Sequence, residues 1–197
     1  MSYIISYNEL LDIWKEFSGR HNLNLTVKKN SDIVDGGTSQ HLHVEASDNN
    51  NIYKFFQFFI QTESYEKEVG KPYKLNCLYE RSSSRKTELS IWEREFFDKI
   101  FKTNKIASGN KLFDKTFSAY SNNNKLINII FSDAEIQNIL LNNRLLILNV
   151  STEDNIFRIS LKNMVEKVYS SDELDDMFTK FMHITEVINS TLLNNIW

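Results

Sequence analysis

The sequence predicts an α+β domain, an antiparallel β-sheet meander with helices packed on one face and a long C-terminal helix. Three observations carry this. Apolar spacing is helical at the start and alternates from about residue 22 onward. The alternating runs are separated by short turn signals, which suit hairpins rather than helical crossovers. The last segment keeps one apolar stripe at helical spacing from Leu174 to Leu192.

The first element opens on Ser6-Tyr7-Asn8-Glu9, which has capping-box spacing. Leu10, Leu11, Trp14 and Phe17 then recur at helical intervals, and Gly19 is placed to stop the helix, so a helix is expected over 7–18. Asn22 to Lys29 alternates with Leu23, Leu25 and Val27 on one face. Asp35-Gly36-Gly37 signals a turn inside 31–39, and Gln40 to Ala46 reads as the next strand. Asp48-Asn49-Asn50-Asn51 is a turn, Ile52 to Gln61 a third strand and Tyr73 to Arg81 a fourth.

The third strand is apolar on both faces. Tyr53, Phe55 and Phe59 point one way; Ile52, Phe56, Phe58 and Ile60 point the other. That pattern predicts a central strand covered on both sides. Tyr53, Phe55 and Phe59 are also the candidate wall of an apolar ligand pocket.

Arg81 to Lys86 reads as an exposed loop. Ser90 to Lys102 carries Trp92, Phe96 and Ile100 on a helical stripe and predicts an amphipathic helix, although Leu89 and Ile91 alternate at its start. Ala107 to Asn110 is a turn, Phe113 to Tyr120 a short strand, and Lys125 to Phe131 fits either helix or strand. Ser132-Asp133-Ala134-Glu135 starts a helix carrying Ile136, Ile139 and Leu140, which Asn142-Asn143 stops. Arg144 to Ser151 and Ile156 to Lys162 form a hairpin around Thr152 to Asn155. Ser170-Ser171-Asp172-Glu173 opens the final helix, with acid in the first turn where the helix dipole favours it. A helix of this span would be about 34 Å long. It can cross a sheet, or its 172–194 stretch can pair with a second copy and make a homodimer.

The 197 residues suit a single domain, 1–197, with a subdomain split expected near 103–110 if there is one. At 41% apolar and 25% charged, the chain is too rich in core-forming residues for disorder. Lys+Arg number 23 against 26 Asp+Glu, a balance that excludes a broad nucleic-acid footprint. No apolar run approaches the length of a membrane span. The one cysteine, Cys77, has no internal partner and reads as a half-buried strand thiol; with no basic, apolar leader over Met1 to Phe17, a cytoplasmic protein is expected. Heavy use of Asn, Ile, Lys and Phe matches translation of an AT-rich genome, which points to a bacterial source.

Chemistry is concentrated in His41-Leu42-His43-Val44-Glu45. On a strand, alternation puts His41, His43 and Glu45 on one face, spaced about 6.6 Å per step. Imidazole and carboxylate are ligands that zinc and iron accept, so the three residues are the candidate site for a divalent metal, with His21 or His183 available to complete it. The competing reading makes His41, His43 and Glu45 a solvent face, with Leu42 and Val44 in the core. The run departs from the cupin signature, because Glu45 follows His43 after one residue and no second motif follows. No other cofactor is implied: dinucleotide-binding, P-loop, nucleophile-elbow, zincin and EF-hand patterns are all missing. The sequence therefore predicts a non-catalytic binding or adaptor protein with a protein partner, of regulatory or immunity type. A carrier of a small molecule or lipid, and a metal-dependent enzyme built on His41, His43 and Glu45, are the alternatives.

Overall fold

A computed structural model describes residues 5–34, 37–64, 67–72, 74–94 and 108–194, with side chains described for these except 5–7, 29–34, 37–41, 60–64, 67–72, 124–126, 129 and 193–194. The fold is α+β, and its strands pair antiparallel. The chain divides into two compact units. One comprises residues up to Cys77 with Met164–Phe178; the other comprises Leu78–Asn163 with Thr179 onward.

In the first unit, α1 (Tyr7–Arg20) precedes β2 (Asn24–Val34), β3 (Gly37–Ser47), β4 (Tyr53–Ser64) and β5 (Lys67–Pro72), and β1 (Ile5–Ser6) pairs with β5. The ladder runs β2-β3-β4-β5-β1, and α1 packs against it. The helix passes through Gly19 to Arg20 and is stopped by Asn22, whose φ of 52° is left-handed. The Leu23 N–H donates to the Ser18 carbonyl at 2.8 Å and the Asn22 N–H to the Gly19 carbonyl at 3.4 Å. This is a Schellman stop with Asn in the place usually held by Gly. The β3–β4 turn is held by Asp48, whose carboxylate accepts from the Tyr53 and Asn50 N–H groups at 2.8 and 3.3 Å. Asn51 beside it takes a φ of 56°. Of the expected Asp35-Gly36-Gly37 turn, Asp35 and Gly36 lie outside the described residues and Gly37 already begins β3; the strands on either side are longer than alternation alone indicates.

The second unit holds β7 (Glu88–Glu93), α2 (Lys111–Thr116), β8 (Phe117–Ser121), α3 (Asn124–Ser132), α4 (Ala134–Asn142), β9 (Leu146–Glu153) and β10 (Ile156–Asn163). β6 (Asn76–Ser82) lies beside β10, followed by β9, β7 and β8. Two expectations change here, and one ambiguous run is resolved. Ser90 to Glu93 is strand rather than helix, because Leu89 and Ile91 are buried and register with Val150 and Leu148; 95–107 lies outside the described residues. Phe113 to Thr116, expected as the start of a strand, belongs to helix α2, because Asn110 caps it, its side chain accepting from the Leu112 and Phe113 N–H groups. The strand begins only at Phe117. The ambiguous run after Asn124 is helix α3. The β9–β10 hairpin turns on Asp154 and Asn155, both at positive φ (51° and 61°), the geometry that matches strand twist.

The final helix, α5 (Ser171–Asn194), starts on a reciprocal capping box. The Glu173 N–H donates to Ser170 Oγ at 3.2 Å, and the Ser170 N–H donates to Glu173 Oε2 at 3.0 Å. Its apolar stripe, Leu174, Met177, Phe181, Ile184, Ile188 and Leu192, is buried within the chain itself. Among the described residues, no helix is long and apolar enough to cross a membrane.

Candidate functional site

The register of β2, β3 and β4 sorts their side chains into two faces. On one face, Leu42, Val44 and Ala46 are buried with Phe55, Gln57 and Phe59. Phe55 packs 5.8 Å from Phe17 of α1 and 5.2 Å from Phe178 of α5, ring centre to ring centre. Buried Gln57 is held by a hydrogen bond from its Nε2 to the Lys167 carbonyl at 2.9 Å. Phe55 and Phe59, two of the three candidate pocket residues, are thus core side chains; Tyr53, the third, is half-buried.

The other face is different. Lys28, His43 and Phe58 form one cross-strand row, and Thr26, Glu45 and Phe56 the next. Phe58 is 42% exposed, and Phe56 is half-buried. The expectation that β4 is covered on both faces does not hold: helices cover the Phe55 face, and Phe58 meets solvent. The His43 ring stacks on Phe58 at 4.7 Å with planes 16° apart and meets Phe56 edge-on at 5.5 Å. The two phenylalanines are themselves edge-to-face at 5.9 Å. Cross-strand register produces this cluster, since side chains directly opposite are within reach of one another.

His43 and Glu45 keep the same face, as alternation requires. Their closest approach is 3.7 Å, from Nε2 to Oε2, with side chains 21% and 22% exposed. That is too long for a hydrogen bond. His43 Nε2 is buried and makes no hydrogen bond among the described residues. Burial lowers the His43 pKa, Glu45 opposes this, and Lys28 across the strand adds to the lowering. The imidazole is accordingly held neutral more firmly than an exposed histidine.

His41 lies on β3 opposite Asn30 and Ile60, with its side chain outside the described residues. Among the described residues, no group of three His, Cys, Asp or Glu side chains is arranged to hold a metal ion. The two histidines available to complete such a site are engaged elsewhere. His21 Nε2 lies 2.9 Å from Asp175, and its ring stacks on Phe178 at 4.1 Å. Burial pushes Asp175 up, but Arg20 and His21 outweigh it and hold the carboxyl below its usual range. Arg20 also pairs with Glu16 and Asp172, which raises the guanidinium pKa further. In the second unit, His183 Nε2 lies 3.2 Å from Asp133 and Nδ1 lies 3.5 Å from Glu135. Asp133 caps α4 by accepting from the Ile136 N–H at 2.8 Å. Burial raises its pKa, while that N–H and His183 lower it more. Cys77 is fully buried, which pushes its thiol pKa up and makes it a poor nucleophile.

Sequence patterning carries no sign of the His183–Asp133 pair, whose members are 50 residues apart, or of His21–Asp175. The exposed aromatic face is partly visible there, as the second apolar face of β4. Comparison with protein-family models, curated proteins and solved structures found no match to this chain.

Proposed function

We propose that this chain is a non-catalytic protein-binding module, of adaptor or regulatory kind, that docks a partner protein on the outer face of β2, β3 and β4. The observation that supports it is Phe58, an aromatic ring 42% exposed in the middle of a paired strand and stacked on His43. An exposed aromatic on a rigid sheet offers contact area with little conformational entropy to lose. Phe56 with Glu45 and Thr26 in the same cross-strand row gives the mixed apolar and polar character of an interface centre. The buried thiol fits a cytoplasmic setting, the near-balanced charge fits a protein without a nucleic-acid role, and the Asn-, Ile-, Lys- and Phe-rich composition fits a bacterial source.

The test is Phe58→Ser. Proteins retained by the wild-type chain from the cells that produce it are identified, purified and titrated against both forms. A purified partner that binds the wild type and loses about thirtyfold or more in affinity with Phe58→Ser supports the reading. A variant that stays folded and binds every such partner as the wild type does would refute it.

A further inference from the structure

Glu45 has an unusual environment. Its side chain is only 22% exposed, yet it makes no hydrogen bond among the described residues, and its one ionic neighbour there is His43 at 3.7 Å. An ionised carboxylate offers about four acceptor sites. Three features of its surroundings restrict what can fill them. Phe56 is its direct cross-strand neighbour and Phe58 lies one row on, so the carboxylate sits at the edge of an aromatic surface. The His43 ring extends that surface by stacking on Phe58. Lys28 faces His43 across the strand and forms no ion pair with Glu45 among the described residues.

We infer that Glu45, Phe56, Phe58 and His43 form a receptor for an arginine side chain of the partner protein. This rests on the docking reading above and names its anchor. A flat cation is the occupant that satisfies both parts of the surface. A guanidinium lies on aromatic faces and, from the same plane, donates two parallel N–H bonds to a carboxylate. A lysine ammonium pairs with Glu45 but is more strongly hydrated and does not stack. An apolar side chain would bury the carboxylate without a donor. His43, its pKa lowered by burial, adds little positive charge to oppose an incoming cation.

The probe is the blocked tripeptide acetyl-Gly-Arg-Gly-amide, titrated into isotope-labelled full-length protein and followed by NMR at the Glu45 carboxyl and the His43 and Phe58 rings. The lysine and citrulline tripeptides are the parallel arms. Expected are saturable shifts at these three residues, weaker for lysine, absent for citrulline, and reduced about tenfold in affinity by Glu45→Gln. Backbone spectra of Glu45→Gln that match wild type elsewhere establish that the variant is folded. Shifts that are absent, or equal for arginine and citrulline, or unchanged by Glu45→Gln, would overturn the inference. If they do while Phe58→Ser still abolishes binding of a purified partner, the docking face stands and only its arginine anchor falls.

Discussion

The two faces of the β2-β3-β4 ladder are built from the same kinds of residue and end in opposite circumstances. Phe55 and Phe58 are three positions apart on one strand. Phe55 is 0% exposed between Phe17 and Phe178, and Phe58 is 42% exposed on His43. The same contrast holds for polar groups. Gln57, on the covered face, donates to the Lys167 carbonyl, whereas Glu45, on the open face, has no hydrogen bond among the described residues. One face is filled by the chain's own helices. The other keeps aromatic area and hydrogen-bonding capacity available, and that difference underlies the functional proposal.

The contrast can be broken by substitution. The largest effect on stability is expected from Phe55→Ala. Emptying a fully buried phenylalanine site should cost about 3–5 kcal/mol and lower Tm by about 2–4 °C per kcal/mol, read by thermal or denaturant unfolding. Phe58→Ser should change stability by less than about 1 kcal/mol, because the ring already meets water on one side. Similar losses from the two variants would mean that the open face is structural.

A second comparison separates the histidine–carboxylate pairs. Asp133 both caps α4 and meets His183, so Asp133→Ala should destabilise by about 1–2 kcal/mol at neutral pH. Its pKa is lowered in the folded chain, so its contribution is present above the usual carboxylate pKa and is lost as pH falls below about 4. Asp133→Ala should flatten that acid limb in unfolding experiments run across pH. The smallest effect is expected at His43. Its pKa is lowered on folding, so the unfolded chain binds more protons, and wild-type stability should decline as pH drops below about 6.5. His43→Gln should remove that shallow decline while leaving neutral-pH stability within about 1 kcal/mol. An unchanged slope would show that the half-buried imidazole is not the titrating group.

Local chemistry was the most legible part of this sequence. The final helix starts where Ser170 to Glu173 marked it, and the reciprocal Ser170–Glu173 cap appears only in the structure; Asp154-Asn155 makes the hairpin turn. The register of β3 follows alternation, with Leu42 and Val44 inward and His43 and Glu45 outward. Elements whose identity depends on a single capping side chain or on a partner strand were harder to see. Helix α2 is too short to show a period and rests on Asn110. Strand β5 contains Gly70 and Pro72 and has Val69 as its only strong β-former, so its pairing with β4 supplies what its own composition does not. Gly19 looked like a helix stop, but the left-handed residue is Asn22, one of the few side chains that tolerate that conformation. The site depends on which face of β4 the helices cover. Phe56 and Phe58 look like core from periodicity alone, and only the packing of α1 and the start of α5 against Phe55 distinguishes the two faces.

The most direct test of the docking face compares Phe58→Ser and wild type in two readouts on the same samples, unfolding stability and affinity for a purified partner. The account predicts stability within about 1 kcal/mol and an affinity loss of about thirtyfold or more. Unchanged affinity in a folded variant would contradict it, as would an affinity loss explained entirely by unfolding.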